Sequence, residues 1–148
     1  MSLTNAPILL VEDEENDVLL LQRAFARSGL LNPLQVVRHG DDAVAYLEGS
    51  GEFADREKFP LPVFILLDLK LPRRSGLEVL QWVKEHAGLK RVPIVVLTSS
   101  KNDADVNRAY ELGANSYIVK PVSFETLLEL VKSLELYWLV INERPKVV

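Results

Sequence analysis

Five consecutive apolar residues, Val63-Phe64-Ile65-Leu66-Leu67, end at a single carboxylate, Asp68, and the turn Pro72-Arg73-Arg74-Ser75-Gly76 follows shortly after. Pro60 and Pro62 bound the run on its other side. An apolar run without polar alternation reads as a strand buried on both faces, the pattern of a parallel sheet covered by helices. A carboxylate at the mouth of such a strand is costly unless something pairs with it. The other strand ends supply the candidates.

Taken in order, residues 8–11 form a short apolar strand that runs directly into Glu12-Asp13-Glu14-Glu15. Asn16 or Asp17 can cap a helix that ends at Ser28, with Gly29 as its stop. Residues 34–37 read as a second strand. Asp41 and Asp42 then open a helix over 43–48, stopped by Gly49-Ser50-Gly51. Residues 50–62 read as a polar surface loop, long for a helix–strand connection. Leu77, Leu80 and Val83 share one face of a third helix. The fourth strand, residues 94–97, follows Pro93 and ends in Thr98-Ser99-Ser100, and a fourth helix runs from Asp103 to Leu112. The fifth strand, residues 116–119, ends at Lys120-Pro121, and Ser123 caps the last helix. His39 and His86 are separated from the acidic, hydroxyl and lysine motifs, and both read as surface residues rather than ligands.

Strands alternating with helices specify an α/β fold, a doubly wound five-stranded parallel sheet. The favoured strand order is 2-1-3-4-5, which places a ligand crevice at the carboxyl ends of strands 1 and 3. Glu12, Asp13 and Asp68 meet there, and Thr98 and Lys120 reach the same rim. Three carboxylates so close must raise a pKa or gather a cation. The chain has no cysteine, which rules out thiolate chemistry and zinc–thiolate sites. Oxygen ligands without His or Cys favour Mg²⁺. Carboxylate, divalent cation, lysine and hydroxyl are the parts that phosphoryl transfer uses.

These residues resemble a known family. Val11-Glu12-Asp13-Glu14, Leu67-Asp68-Leu69-Lys70-Leu71-Pro72 with Ser75-Gly76, Val96-Leu97-Thr98-Ser99, Gly113-Ala114 and Lys120-Pro121 are similar to the motifs of bacterial response-regulator (CheY-like) receiver domains. The resemblance implies that Asp68 is the phosphoacceptor and that Asp13, Asp68 and the Lys70 carbonyl bind Mg²⁺, with Glu12 in the companion acidic position. It implies that Thr98 and Lys120 contact phosphoryl oxygens, that Tyr117 is the aromatic switch and that the Lys120–Pro121 bond is cis. It also implies a histidine kinase as partner and no enzyme activity toward an outside metabolite. The long loop before the third strand and Leu136-Tyr137-Trp138-Leu139 resemble the standalone receivers that partner bacterial phytochrome kinases.

Taken singly, each residue has an ordinary explanation: a solvated acidic loop, a surface lysine, a strand-end hydroxyl, a tyrosine in strand packing. The joint occurrence at four strand ends argues against coincidence. Two rival functions fit less well. A haloacid-dehalogenase-type phosphatase wants a second acid two residues after its aspartate, where Lys70 stands. A flavodoxin-like FMN carrier wants a Ser/Thr/Gly-rich loop where this chain has Glu12-Asp13-Glu14-Glu15.

The whole chain, 1–148, is expected to be one receiver domain, with its core at about residues 7–134, a C-terminal helix extension and tail over 135–148, and no output domain. The net charge of −4 argues against nucleic acid as partner, and no apolar run is long enough to span a membrane. A cytoplasmic protein is expected. The apolar run over residues 134–141 exceeds what one helix stripe buries, which points to a homodimer through the face of the fourth helix, fifth strand and fifth helix.

Overall fold

Each short apolar run becomes a strand, and each amphipathic stretch between runs becomes a helix packed across the sheet. In this computed structural model, which describes residues 6–134, the strands are β1 (Ile8–Val11), β2 (Leu34–Val37), β3 (Phe64–Leu67), β4 (Ile94–Thr98) and β5 (Ser116–Val119). The helices are α1 (Glu15–Ser28), α2 (Gly40–Glu48), α3 (Gly76–Glu85), α4 (Asp103–Glu111) and α5 (Phe124–Leu134). The strands pair in parallel in the order β2-β1-β3-β4-β5, the doubly wound arrangement expected from the sequence.

Side chains alternate across a strand, so each strand feeds two cores. Leu9, Val11, Ile65, Leu67, Ile94 and Val96 face α2, α3 and α4, where Leu47, Leu80 and Val83 meet them. Ile8, Leu10, Phe64, Leu66, Val95 and Leu97 face α1 and α5, against Leu21, Phe25, Leu127 and Val131. Each fully buried Leu, Ile or Phe contributes roughly 1.5–3 kcal/mol relative to exposure. The sheet is therefore stabilised from both sides, as its uninterrupted apolar strands require. Among the described residues no helix is long and apolar enough to cross a membrane.

Four local expectations are corrected. The third strand begins at Phe64, one residue after Val63. The N-cap of α1 is Glu14, without a side-chain cap bond, and neither Asn16 nor Asp17 serves. Three residues earlier than expected, α2 starts at Gly40, because His39 caps it: the ring Nδ1 accepts from the Asp42 N–H at 3.2 Å. Residues 50–62 are more than a polar loop. They contain a short 3-10 turn, Gly51–Phe53, and Phe53 is buried against Tyr46 and Phe59, with ring centroids 5.3 and 5.1 Å away. Arg56 closes the end of α2 by donating to the carbonyls of Tyr46 and Leu47, each at 2.8 Å.

The cap at Ser123 is as expected, its hydroxyl accepting from the Thr126 N–H at 3.2 Å. Residues 135–141 of the C-terminal apolar run, Trp138 among them, lie outside the described residues, as does the rest of the extension and tail.

Candidate functional site: an acidic pocket at the strand ends

The parallel ladder continues one residue beyond the strands, and this sets the positions of the polar side chains. The Glu12 N–H donates to the Val37 carbonyl at 3.0 Å, the Asp68 N–H to Val11 at 3.0 Å, and the Lys120 N–H to Thr98 at 2.8 Å. Glu12 continues the alternation of Ile8 and Leu10, Asp68 that of Phe64 and Leu66, and Lys120 that of Ile118, all toward α1 and α5. Thr98 continues Ile94 and Val96 on the opposite face, where Tyr117 also packs. The five residues share a rim but divide between its two sides.

The Lys120 ammonium is the centre of the charged side. Its three donors reach Asp17 Oδ2 at 2.7 Å, Glu12 Oε1 at 2.9 Å and Asp68 Oδ2 at 3.2 Å. The Lys120 side chain is 11 % exposed, and those of Glu12 and Asp68 are 1 % and 4 % exposed. The Lys120–Pro121 peptide is cis. Asp68 Oδ1 accepts from the Lys70 N–H at 3.1 Å.

Sequence reasoning offered Asp68 or an anion as the partner of Lys120, and missed Asp17. Its place in the first turn of α1, directly after the acidic end of β1, is the signal that could have found it.

Burial and neighbours divide the two inner carboxyls. Burial pushes the Glu12 carboxyl up to about 7, the Lys120 bond opposes this, and the nearby Asp68 adds to it. Burial also acts to raise Asp68, but the Thr98 hydroxyl, Glu12, the Lys70 N–H and the Lys120 charge hold it below the ordinary value. Lys120 is pushed upward despite burial by its bonds to Asp17 and Glu12 and by the Asp68 charge. Of the two inner carboxyls, Asp68 is thus the one held ionised and Glu12 the one that readily holds a proton.

Glu12, Asp13 and Asp68 each offer a carboxylate oxygen, and these lie within 4.8 Å of one another. Asp13 is exposed and opens onto a cavity of about 420 Å³, which Asp17, Asp68, Lys70, Ser99 and Lys120 also line. Three oxygen donors on a roomy polar cavity suit a hard divalent cation that keeps several of its waters. The residues present fit such an ion.

The loop after Asp68 is held from two directions. A Cβ on Gly76 would stand 2.2 Å from the Asp68 carbonyl oxygen, so only glycine lets α3 start there, and the Gly76 N–H donates to Leu69 at 2.9 Å. A Cβ on Gly40 would stand 2.0 Å from the Arg74 carbonyl oxygen, which brings α2 equally close to the loop. Between them Arg73 takes a φ of +70°, and the Arg74 N–H bonds back to the Pro72 carbonyl at 2.8 Å. That is a tight three-residue turn, uncommon for a side-chain-bearing residue.

On the other side of the rim, Thr98 is fully buried and its Oγ1 accepts from the Ser100 N–H at 3.4 Å. The Tyr117 ring is partly buried and its hydroxyl donates to the Ser100 carbonyl at 2.8 Å. Ser100 Oγ in turn donates to Asp105 Oδ2, on α4, at 2.6 Å. His39 and His86 stay away from the pocket, as expected, although His39 acts as the α2 cap.

A five-stranded doubly wound sheet with a buried acid, a lysine and a hydroxyl at its carboxyl edge defines a phosphoryl-signalling receiver. The chain belongs to the response regulator receiver domain family, which matches residues 8–132. It is 43 % identical over 141 residues to the probable methanogenesis regulatory protein FilR2 of Methanothrix harundinacea, covering 93 % of this chain and 86 % of that one. It is 42 % identical over 132 residues to the response regulator Rcp1 of Synechocystis, covering 89 % of this chain and 88 % of that one. A solved Mn²⁺-bound form of Rcp1 superposes with a TM-score of 0.82 at 41 % identity, covering 95 % and 99 % of the two chains. The phosphorylated cyanobacterial phytochrome response regulator RcpA superposes with a TM-score of 0.85 at 40 % identity, covering 96 % of this chain and 99 % of that one. Membership of a signalling family sets aside the phosphatase and flavin-carrier readings.

Proposed function

We propose that this receiver accepts a phosphoryl group on Asp68 from the phosphohistidine of a histidine kinase, with Mg²⁺ bound by Asp13, Asp68 and the Lys70 carbonyl. The observation that carries this reading is the contrast within the pocket. Asp68 is buried yet held ionised, at the end of an apolar strand and within reach of a lysine ammonium.

An Asp68 carboxylate oxygen attacks the phosphorus in line, the P–N bond breaks with its electron pair leaving on the imidazole, and an aspartyl phosphate forms. Lys120 offsets the charge spread over the phosphoryl oxygens, and the Thr98 hydroxyl donates to one of them. The divalent ion would supply further charge neutralisation at the same oxygens. Glu12, in the companion acidic position, would help to hold the ion's hydration shell. The chain's own residues thus perform both phosphorylation and slow hydrolysis, and no outside metabolite is turned over.

The likeness to the phytochrome response regulator RcpA supports a kinase of the phytochrome type, and a cytoplasmic setting belongs to the same proposal. Self-association through α4, β5 and α5 belongs to the same reading, and exposed Tyr110 on α4 and Val119 on edge strand β5 support it. Sedimentation at ~100 µM, roughly −5.5 kcal/mol on the affinity scale, should show a dimer with or without phosphodonor. A monomer in both states refutes that part.

The central experiment is labelling of the full chain by a small acyl-phosphate donor with Mg²⁺, mapped by mass spectrometry. One phosphoryl group on Asp68, absent without Mg²⁺ and in Asp68→Asn, is the expected result. Labelling elsewhere, or undiminished labelling of the variant, overturns the proposal.

A further inference from the structure

We propose that Asp17 is a positioning residue for Lys120: by taking one of the ammonium's three donors it draws the lysine toward α1 and loosens its hold on Asp68, and so eases the entry of a divalent cation. The inference rests on the reading of the pocket as a metal-assisted phosphoacceptor site. It assigns a task to a residue that lies outside the cluster of Glu12, Asp13 and Asp68.

Three observations carry it. The Asp17 bond, at 2.7 Å, is the shortest of the three that Lys120 makes, against 2.9 Å to Glu12 and 3.2 Å to Asp68. The ammonium has three donors, so a lysine shared with α1 has one fewer to give to the strand-end carboxylates. Asp17 is also the most accessible of the three partners, its side chain 33 % exposed against 1 % for Glu12 and 4 % for Asp68. An acid that keeps much of its hydration holds the lysine at a lower desolvation cost than a buried one.

A lysine and a divalent cation compete for the negative charge of Glu12 and Asp68, which both would contact. Without the Asp17 charge, Lys120 turns wholly to Glu12 and Asp68 and the cation must displace it. Asp17 thus acts on the metal through the lysine. The ordinary alternative is that Asp17 merely places an acid in the first turn of α1, where any helix favours one.

The test uses the full chain and Mg²⁺ alone, titrated calorimetrically. Asp17→Asn should raise the Mg²⁺ dissociation constant about tenfold or more, the usual size of the effect for a group that orients a metal site from outside it. Glu14→Gln is the charge control, since Glu14 lines the same cavity without touching Lys120. It should change the constant less than about threefold, and Asp17→Glu should restore it to within about threefold of the parent. The ¹⁵N chemical shift of the Lys120 ammonium should change in Asp17→Asn, which loses the charged partner at 2.7 Å, and not in Glu14→Gln. Equal effects of the two charge removals, or an unmoved Lys120 resonance, overturn the proposal. Failure of Asp68 to accept a phosphoryl group would strike the functional reading, whereas these binding and titration results judge Asp17 separately.

Discussion

The Tyr117 hydroxyl donates a 2.8 Å hydrogen bond to the Ser100 carbonyl, which ties β5 to the segment that leaves the end of β4. Ser100 is two residues from Thr98 and bonds it through the backbone N–H, so pocket and aromatic ring share one short connection. Both Thr98 and Tyr117 lie on the sheet face that α4 covers.

A first prediction follows from that connection. A phosphoryl group that draws the Thr98 hydroxyl toward Asp68 should loosen the Ser100 segment and release the Tyr117 ring, provided the segment has two arrangements. Thr98→Ala should leave phosphorylation of Asp68 measurable but shrink the amide chemical-shift changes in α4 and β5. Tyr117→Phe should cost about 1 kcal/mol of stability, the worth of one hydrogen bond, and weaken the same shifts. Full-size changes in both variants would dismiss the route.

Metal binding should stabilise the fold by mass action, because the unfolded chain disperses the three carboxylates. At a hundredfold excess over the dissociation constant the gain is about 2.7 kcal/mol. For a chain of this size that is about 5–10 °C in Tm by scanning calorimetry. Asp13→Asn should lose most of the shift while leaving the metal-free Tm unchanged or higher. An identical shift in the variant would remove Asp13 from the site.

Glu12 gives the metal-free protein a pH dependence of definite sign. Its carboxyl is held at about 7 in the fold against an ordinary 4.5, so the folded chain binds the extra proton between those values. Stability from this group is complete below about 4.5 and is lost as pH rises through about 7, at a slope of at most about 1.4 kcal/mol per unit. Asp68, held low, acts oppositely and loses its contribution as pH falls in the acid range. Urea unfolding of the parent should therefore show a decline between pH 5 and 8 that Glu12→Gln removes. Persistence of the decline in the variant would place the proton elsewhere.

Gly76→Ala should be damaging out of proportion to one methyl group. The new Cβ meets backbone at Asp68 and Leu69 rather than a flexible side chain, at 2.2 and 2.5 Å. The strand end or the start of α3 must then move, at roughly 2–4 kcal/mol, with the Asp68 carboxylate displaced. Denaturant midpoints and phosphorylation rates should fall together. A variant as stable and as fast as the parent would show that the close approach is dispensable.

The sheet was legible because its strands are uniformly apolar. Val63 to Leu67 could only be a doubly buried strand, and Asp68, Thr98 and Lys120 then fell at strand ends by counting. What escaped was whatever depended on helix phase or on unusual chemistry. Asp17 read as a possible cap because the start of α1 was placed at least two residues late, which hid its place inside the first turn. His39 escaped because an imidazole capping a helix lies outside the usual Ser, Thr, Asp and Asn preference. Phe53 and Phe59 were lost among the polar residues around them, although two aromatics in a surface loop need a partner. Tyr46 is that partner.

Glu12 and Lys120, joined by a 2.9 Å bond, stand 108 residues apart in the chain. The charged groups of the pocket come from three separated stretches, residues 12–17, Asp68 and Lys120, and the ammonium comes last, after β5. During synthesis, a chain released only through β3 carries Asp68 without the lysine that offsets its charge. A chain that ends before Lys120 therefore gathers Glu12, Asp17 and Asp68 without the ammonium that joins them. A truncation before Lys120 should leave a protein that is silent rather than miswired.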